Sequence, residues 1–364
     1  MPRFSPDLTD IQRVDAPVEE VKRETEAEMR ERLADKPVGV VTMELEPHPK
    51  EKRMFMAKYE RYEPRIRDST AIQTEKTCPR KYFYQLVLGR VAKEDAPYFA
   101  WGSAYHTFRQ VLEVAYGFGH EAPARYDETK AADAFAEAAK QGLAYWKKHG
   151  RDQPVGSKYE FMTVERLLKS FIHAFKHWAR EKMQGRIVVI AVEQAFIVQL
   201  ADGSYTGGRA DQIVRWNGKV WGRDFKTSSV DSTFYSRRLE PNDQFTRYTL
   251  AEGKLVGEQV QGLFIELLYN AKPSKKDPHG PSIIELTTSR TRWQLDQFER
   301  DMSMVNKRLA MYREEDNYPM SESNCPFCPF HSVCTKPTEG AMMAQLETHF
   351  TVRPWDFTKI GMDT

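Results

Sequence analysis

Two aspartates and a lysine in one predicted β-hairpin have the types and spacing of a divalent-metal site. The strands "ADQIVRW" and "KVWGRDFK" are joined by Asn217-Gly218, a pair typical of a two-residue turn that fixes the register. Counting from that turn places Asp211 opposite Asp224, with Lys226 two residues further on the same face. Opposed carboxylates repel each other, and a lysine or a cation such as Mg²⁺ offsets that repulsion. We favour a metal site; the alternative is an exposed ion-pair cluster.

The segment "NCPFCPFHSVC" contains three of the four cysteines of the chain, in a C-x2-C-x5-C pattern. The four residues are Cys78, Cys325, Cys328 and Cys334. Thiolate metal sites usually have four ligands, so the distant Cys78 is a candidate fourth ligand. Four thiolates suit zinc as well as an iron–sulfur cluster, and His331 is an alternative ligand for zinc. In a reducing compartment, metal ligands or free thiols are favoured over disulfides.

Three further polar side chains lie on predicted helices. His106 lies on the helix predicted over 99–116, away from its apolar stripe. Gly102, one turn earlier, would let this helix face approach a strand or a substrate closely. Gln244 and Tyr248 are spaced i, i+4 and project from one helix face. The alternative interpretations are a surface histidine, and a packing tyrosine beside a surface glutamine.

Length and composition restrict the class of protein. The chain has 364 residues, of which 40% are hydrophobic and 29% charged, with a formal net charge of +2. These values are typical of a soluble globular protein, and nucleic-acid binding would depend on local basic patches. No apolar run is long enough to span a bilayer, and the first residues lack a signal-peptide pattern. We therefore expect a cytoplasmic protein, and the absence of a G-x-x-x-x-G-K-[ST] motif indicates no motor.

Hydrophobic periodicity predicts an α/β fold in which helices cover a mixed central sheet. Strands are predicted at "RIVVIAVEQAFIVQL", in the hairpin, and at "GLFIELLYN" and "SIIELTTS", and helices over 99–116, 128–148, 159–183, 241–252 and 291–314. Residues 1–68 are predicted to be a charged N-terminal extension, in which "PVEEVKRETEAEMRERLADK" is typical of a solvated helix. The basic segment "KEKRMFMAKYERYEPRIR" is either an amphipathic helix, which we favour, or a stacking surface for single-stranded nucleic acid.

Six motifs, taken in order, resemble the PD-(D/E)XK nuclease superfamily, and more narrowly its RecB-like branch that carries an iron–sulfur cluster. They are "CPRKYFYQ", "GSAYH", "GGRADQIV", "RDFKTS", "QFTRY" and "CPFCPFHSVC". The branch includes the CRISPR-associated RecB-like exonucleases, the AddB nuclease domain and standalone phage homologues. The resemblance implies a nuclease domain over 69–336, with a restriction-endonuclease-like core and a helical insertion, followed by a C-terminal tail over 337–364.

The resemblance also implies a role for each matching residue. Lys226 would position or deprotonate the attacking water, and Gln244 and Tyr248 would orient the site and the DNA backbone. Glu193 lies where relatives often have an acidic residue, with an ordinary strand-end glutamate as an equal alternative. The ligands of Mg²⁺ or Mn²⁺ would be His106, Asp211, Asp224 and the backbone carbonyl of Phe225.

By the same resemblance, the cysteines would hold a 4Fe–4S cluster, with zinc as the alternative. The ligands would be Cys78, Cys325, Cys328 and Cys334. The nuclease core would then lie between the ligands, and the cluster would join its two ends like a cross-link that closes a long loop.

These features together predict a metal-dependent DNA exonuclease acting on single-stranded ends, in DNA recombination, repair or phage DNA processing. The alternatives are a structure-specific or restriction-type endonuclease and a non-catalytic DNA-binding subunit of a helicase–nuclease machine. A helicase or recombinase partner would be a separate chain. The residues predicted to contact DNA are Lys58, Arg61, Arg237 and Arg238.

Overall fold

A computed structural model describes residues 56–93, 97–119, 123–150, 157, 159–230, 232–272 and 281–357. Its strands are β1 (Arg90–Ala92), β2 (Ile187–Gln199), β3 (Tyr205–Trp216), β4 (Lys219–Ser228), β5 (Val260–Tyr269), β6 (Ser282–Thr288) and β7 (Phe350–Val352). The central sheet has the order β2-β3-β4-β5-β6. Strands β4 and β5 are parallel, and the other neighbours are antiparallel.

Helices of very different lengths connect and cover these strands. They are α1 (Ser69–Thr77), α2 (Pro79–Tyr82), α3 (Pro97–Tyr116), α4 (Glu128–His149), α5 (Val164–Gln184), α6 (Ser232–Ser236), α7 (Asp243–Val256), α8 (Arg292–Glu315), α9 (His331–Cys334) and α10 (Glu339–His349). A π-helical turn at Phe83–Val87 follows α2, and a 3-10 turn at Glu322–Phe327 precedes α9. Within the described ranges, no helix has the length and apolarity that crossing a bilayer requires.

Helices cover both faces of the central sheet. On one face α3, α4 and α5 pack around Phe108, and Phe225 of β4 belongs to the same cluster. On the other face Phe245 and Tyr248 of α7 pack with Ile265 of β5. The mixed sheet flanked by helices confirms the predicted fold class and is consistent with a restriction-endonuclease-like fold.

A third core cluster joins segments that are far apart in the sequence. Tyr82 of α2, Leu309 of α8 and Leu346 of α10 are buried in it. Met56, from the predicted N-terminal extension, is buried in the same cluster. Strand β1 pairs with β7 beside it. The described parts of the extension and of the C-terminal tail therefore share a core with the segments between them.

Most predicted elements agree with the observed ones to within a few residues, and one prediction is wrong. The predicted "PVEEVKRETEAEMRERLADK" helix lies outside the described residues. In the basic segment that follows it, residues 56–67 form turns and extended chain rather than an amphipathic helix. Tertiary contacts explain the difference: Arg61 packs on the Phe83 ring and pairs with Asp316, and Arg67 donates a hydrogen bond to the Tyr82 hydroxyl. These partners hold the arginines in an extended segment.

A buried network of ion pairs lies between the sheet and helices α3 and α5. Glu266 of β5 accepts a hydrogen bond from Arg109 at 3.1 Å and another from Arg223. Arg223 also pairs with Glu181 at 2.9 Å. The guanidinium carbons of Arg109 and Arg223 lie 4.5 and 5.5 Å from the centre of the Phe225 ring. The network therefore holds the part of β4 around Phe225 in place.

We expect Glu266→Gln to lower the free energy of unfolding by about 3–5 kcal/mol, because a broken buried ion pair leaves guanidinium charge uncompensated. Urea unfolding followed by circular dichroism measures the loss. Glu165→Gln is the matched control, since Glu165 pairs with Lys169 on the surface at 2.7 Å and its loss should change stability little. Equal and small losses in the two variants would contradict the expectation.

Candidate metal centre

The β3–β4 hairpin brings the two predicted aspartates together. Asn217 and Gly218 have φ of 49° and 76°, as a type I′ turn requires. The paired residues of β3 and β4 keep the register that this turn sets, and the last pair in the ladder is adjacent to Asp211 and Asp224. Asp211 Oδ2 accepts a hydrogen bond from the Phe225 amide at 2.7 Å. The two carboxylates therefore lie on adjacent strands at opposed positions.

A third carboxylate extends this row on the other side. The β2–β3 pairs Val192–Gln212 and Gln194–Ala210 flank Glu193, which is thus opposed to Asp211. Glu193 has a φ of 51°, which is uncommon for a residue other than glycine. Backbone strain of this kind is concentrated at functional sites. Three carboxylates, from β2, β3 and β4, therefore lie side by side across the sheet.

Helix α3 adds an imidazole to this row of acids. His106 Nδ1 lies 3.4 Å from Asp211 Oδ2. One ligand atom from each of His106, Glu193 and Asp211 lies within 4.8 Å of the others. Carboxylate oxygens suit Mg²⁺ and Mn²⁺, and imidazole is a common ligand of transition metals. The donor set fits a divalent cation.

Lys226 and helix α7 contact the remaining aspartate. Lys226 Nζ lies 2.6 Å from Asp224 Oδ2. Gln244 Nε2 donates to Asp224 Oδ1 at 3.3 Å and lies 3.3 Å from the Tyr248 hydroxyl. The i, i+4 pair predicted from the sequence thus faces the second aspartate. The structure therefore brings the predicted polar residues to one site.

Burial and mutual repulsion determine the protonation of the site. Burial, reinforced by Asp211, raises the pKa of Glu193 to about 7. Burial also raises the pKa of Asp224 to about 6, against the opposing effect of Lys226. Burial would raise the pKa of Asp211 too, but His106, Lys226 and the Phe225 amide together outweigh it, and the pKa of Asp211 is lowered. Burial disfavours the Lys226 ammonium, yet the two aspartates raise its pKa above the usual value. A bound cation would relieve the crowding of negative charge.

We expect Mg²⁺ to stabilise the protein more at pH 8 than at pH 6. With pKa values of about 7 and about 6, Glu193 is mostly protonated and Asp224 about half protonated at pH 6, and a cation must displace those protons before it binds. Each displaced proton changes the affinity by up to about tenfold per pH unit. The measurement is the Mg²⁺-dependent shift of the melting temperature at the two pH values, with Asp211→Asn as the control that should lose the shift. An equal shift at both pH values would contradict this assignment.

The four cysteines line one cavity, in a part of the molecule separate from the acids. The cavity has a volume of about 200 Å³ and is also lined by His331. Cys78 directly precedes α2, and Ser321 donates its backbone N–H to the Cys78 sulfur at 3.4 Å. Burial raises the pKa of the Cys334 thiol to about 11. All four are free thiols. The structure therefore brings Cys78 to the C-terminal cysteines.

The basic residues predicted to contact DNA lie in two different places. Arg237 and Arg238 directly follow α6 and are exposed. Lys58 pairs with Glu347 at 2.8 Å, far along the chain from the acidic row. The Arg61 side chain is only 10% exposed. DNA contact stays a prediction at all four positions, and the two arginines after α6 are the more accessible.

Two residues at the site were not predicted from the sequence. Arg209 Nε lies 2.7 Å from Glu193 Oε2 and compensates part of its charge. Tyr235 is buried, and the charge of Lys226 acts on its hydroxyl. Arg209 lies two residues before Asp211 on one strand and hence on the same face, so its spacing was an available signal. Nothing in the local sequence distinguishes Tyr235.

Comparison with known protein families identifies one match. Residues 69–335 match the model of the PD-(D/E)XK nuclease superfamily. The matched range covers most of the chain and includes the acidic row, His106, Lys226 and all four cysteines. No curated protein is significantly similar to the chain.

Proposed function

The chain belongs to the PD-(D/E)XK nuclease superfamily, and from this premise we propose that it is a Mg²⁺- or Mn²⁺-dependent deoxyribonuclease that degrades single-stranded DNA from an end. The observation that carries the proposal is the row of Glu193, Asp211 and Asp224, with His106 on one side and Lys226 on the other. A surface ion-pair cluster would not require three buried or half-buried acids at opposed positions on adjacent strands. The resemblance implies products with a 5′-phosphate and a 3′-hydroxyl.

The residues at the site have distinct roles in the proposed reaction. The cation would be held by Glu193, Asp211, Asp224, His106 and the backbone carbonyl of Phe225. When bound, it supplies positive charge that polarises the scissile phosphate and lowers the pKa of a water. Lys226 stays an ammonium because its pKa is raised, so it donates a hydrogen bond to the attacking water and orients it. Gln244 holds the Asp224 carboxylate through its amide, and Tyr248 packs behind it.

Linear and covalently closed single-stranded DNA test this proposal directly. The protein is incubated with end-labelled linear strands and with circles of the same sequence, in Mg²⁺ and in Mn²⁺. Degradation of the linear strand alone supports an exonuclease, because a circle has no end. Cleavage of the circle would indicate an endonuclease. Binding without cleavage in either metal would favour a non-catalytic subunit and would contradict the proposal.

We also propose that the cysteine-lined cavity holds a 4Fe–4S cluster. Support comes from four thiols that line one cavity and from the resemblance to the RecB-like branch. Purification without oxygen, followed by a visible spectrum and metal analysis, tests the assignment. We expect a brown protein that contains iron. A colourless protein that contains zinc would show that zinc occupies the cavity in place of the cluster, and it would not contradict the nuclease proposal.

The cellular setting of the proposed nuclease is a separate question. We place the activity in DNA recombination, repair or phage DNA processing in the cytoplasm. Any helicase or recombinase that supplies single-stranded ends would be a separate chain, which co-purification from the native source would identify.

A further inference from the structure

We infer that Phe99 and Phe234 are base-stacking surfaces on opposite sides of the metal centre, and that they select single-stranded over duplex DNA. The inference rests on the proposed nuclease function and specifies the substrate that the site accepts. It is carried by two exposed phenyl rings, each anchored to an element that contributes to the site.

Phe99 lies on the face of α3 that carries His106. Seven helical residues are about two turns, so the two side chains share a face and lie about 10 Å apart along the axis. Between them, a Cβ at Gly102 would lie 3.4 Å from the Thr227 hydroxyl oxygen. This helix face therefore lies against the end of β4 that directly follows Lys226. The Phe99 side chain is 59% exposed there.

The Phe99 ring contacts the ring of Tyr98, which in turn contacts the ring of Tyr159. The Tyr98 ring centre lies 4.4 Å from that of Phe99 and 5.8 Å from that of Tyr159. Tyr98 itself is 43% exposed. A ring supported in this way loses little conformational freedom when a base stacks on it, because aromatic side chains have few rotatable bonds.

Phe234 lies on a helix whose neighbouring residue packs on the other face of the sheet. It lies on α6, and the next residue, Tyr235, is buried in the cluster around helix α7. Phe225, which belongs to the cluster around helix α3, points to the opposite face. The Phe234 ring is 59% exposed, and the Arg237 guanidinium carbon lies 5.4 Å from its centre. The helices that carry Phe99 and Phe234 thus lie on opposite sides of the strand that carries the second aspartate.

Two exposed rings beside a charged site fit an unpaired strand better than a duplex. Bases in a single strand present their π-faces, whereas those in a duplex are already stacked on each other. The 10 Å between Phe99 and His106 corresponds to about three base steps of 3.4 Å, or fewer in an extended strand. A phosphate at the metal would therefore place nearby bases within reach of the ring. Arg237 and Arg238 supply the positive charge that a phosphate backbone needs on the Phe234 side.

Fluorescence anisotropy with a labelled oligothymidine tests the inference, in the absence of divalent cations so that the strand stays intact. Phe99→Ala and Phe234→Ala should each weaken single-strand binding about 5- to 150-fold, the range of one lost stacked base. Duplex binding should not change. A strand with abasic nucleotides near the site should bind weakly to the wild type already. The two substitutions should cause no further loss of affinity for this strand. Phe99→Tyr should restore binding.

Tyr205→Ala is the matched control, because Tyr205 is also half exposed but lies six strand residues, about 20 Å, from Asp211. Its binding should equal that of the wild type. Variants that bind and degrade single strands as the wild type does would overturn the stacking inference and leave the nuclease proposal intact. An equal loss on strands with and without bases would also overturn it. A wild-type protein that neither binds nor cleaves DNA would contradict both the stacking inference and the nuclease proposal.

Discussion

Replacing Lys226 with alanine is expected to lower the rate of DNA cleavage by about 10²–10⁴-fold while the protein remains folded. The ammonium lies 2.6 Å from Asp224 and stays protonated because both aspartates raise its pKa. In the proposed reaction this ammonium orients the attacking water, and positioned proton-handling groups contribute factors of this size. Single-turnover degradation of an end-labelled strand measures the rate.

Lys254→Ala is the control for this substitution. Lys254 lies on α7, whose residues Gln244 and Tyr248 face the site, but it is 42% exposed and pairs with Glu299 at 3.5 Å. Its removal should leave the rate unchanged. Circular dichroism and the Mg²⁺-dependent melting shift show that the Lys226→Ala protein is folded and binds the cation. A Lys226→Ala protein that cuts as fast as the wild type would show that the active-site assignment is wrong.

Replacing Cys78 with serine is expected to remove the iron of the proposed cluster and to destabilise the protein strongly. Cys78 and Cys325 are roughly 250 residues apart, and a cross-link that closes a loop of this length contributes about 5 kcal/mol in the chain-entropy model. Protein contacts also join the two segments, since Arg80 donates its backbone N–H to the Pro319 carbonyl at 3.0 Å and the Tyr82 and Tyr318 rings are stacked. The variant should therefore fold, with a lower free energy of unfolding and no bound iron.

His331→Ala separates the two metals that the cavity could hold. His331 lines the cavity with the cysteines but is not a ligand of the proposed cluster. Iron content and stability should therefore survive its removal. If His331→Ala loses the metal and Cys78→Ser keeps it, the site is a zinc site with a histidine ligand. Metal analysis and urea unfolding of the two variants decide between these outcomes.

The local parts of the candidate site could be predicted from the sequence because short-range geometry determines them. A two-residue turn at Asn217 and Gly218 leaves one register, so the opposition of Asp211 and Asp224 follows from counting. The helical period places Gln244 and Tyr248 on one face, and the observed contacts with the second aspartate use that face. The same periods predicted the order and the approximate bounds of the helices and strands.

Other parts of the site depend on contacts that no local pattern contains. The position of Glu193 opposite Asp211 depends on the register that begins at the pair Gln199–Tyr205 and continues to Val192–Gln212, and the irregularity between Val189 and Ala191 lies beyond it. A one-residue shift moves every later side chain to the other face, so counting from a five-residue connection at 200–204 could not settle it. The resemblance to the nuclease family assigned Glu193 to the site, whereas the strain in its backbone was visible only in the structure.

By itself, the sequence determined the element order, the hairpin register, the helix faces and the four thiols available for one metal group. The tertiary structure alone decided that Arg61 packs against Phe83 instead of facing solvent, and that Glu266 joins Arg109 and Arg223 in a buried network. The physical reason is the range of the forces involved. Backbone sterics and hydrogen bonds act between near neighbours in the chain, whereas burial and charge pairing act between any residues that packing brings together.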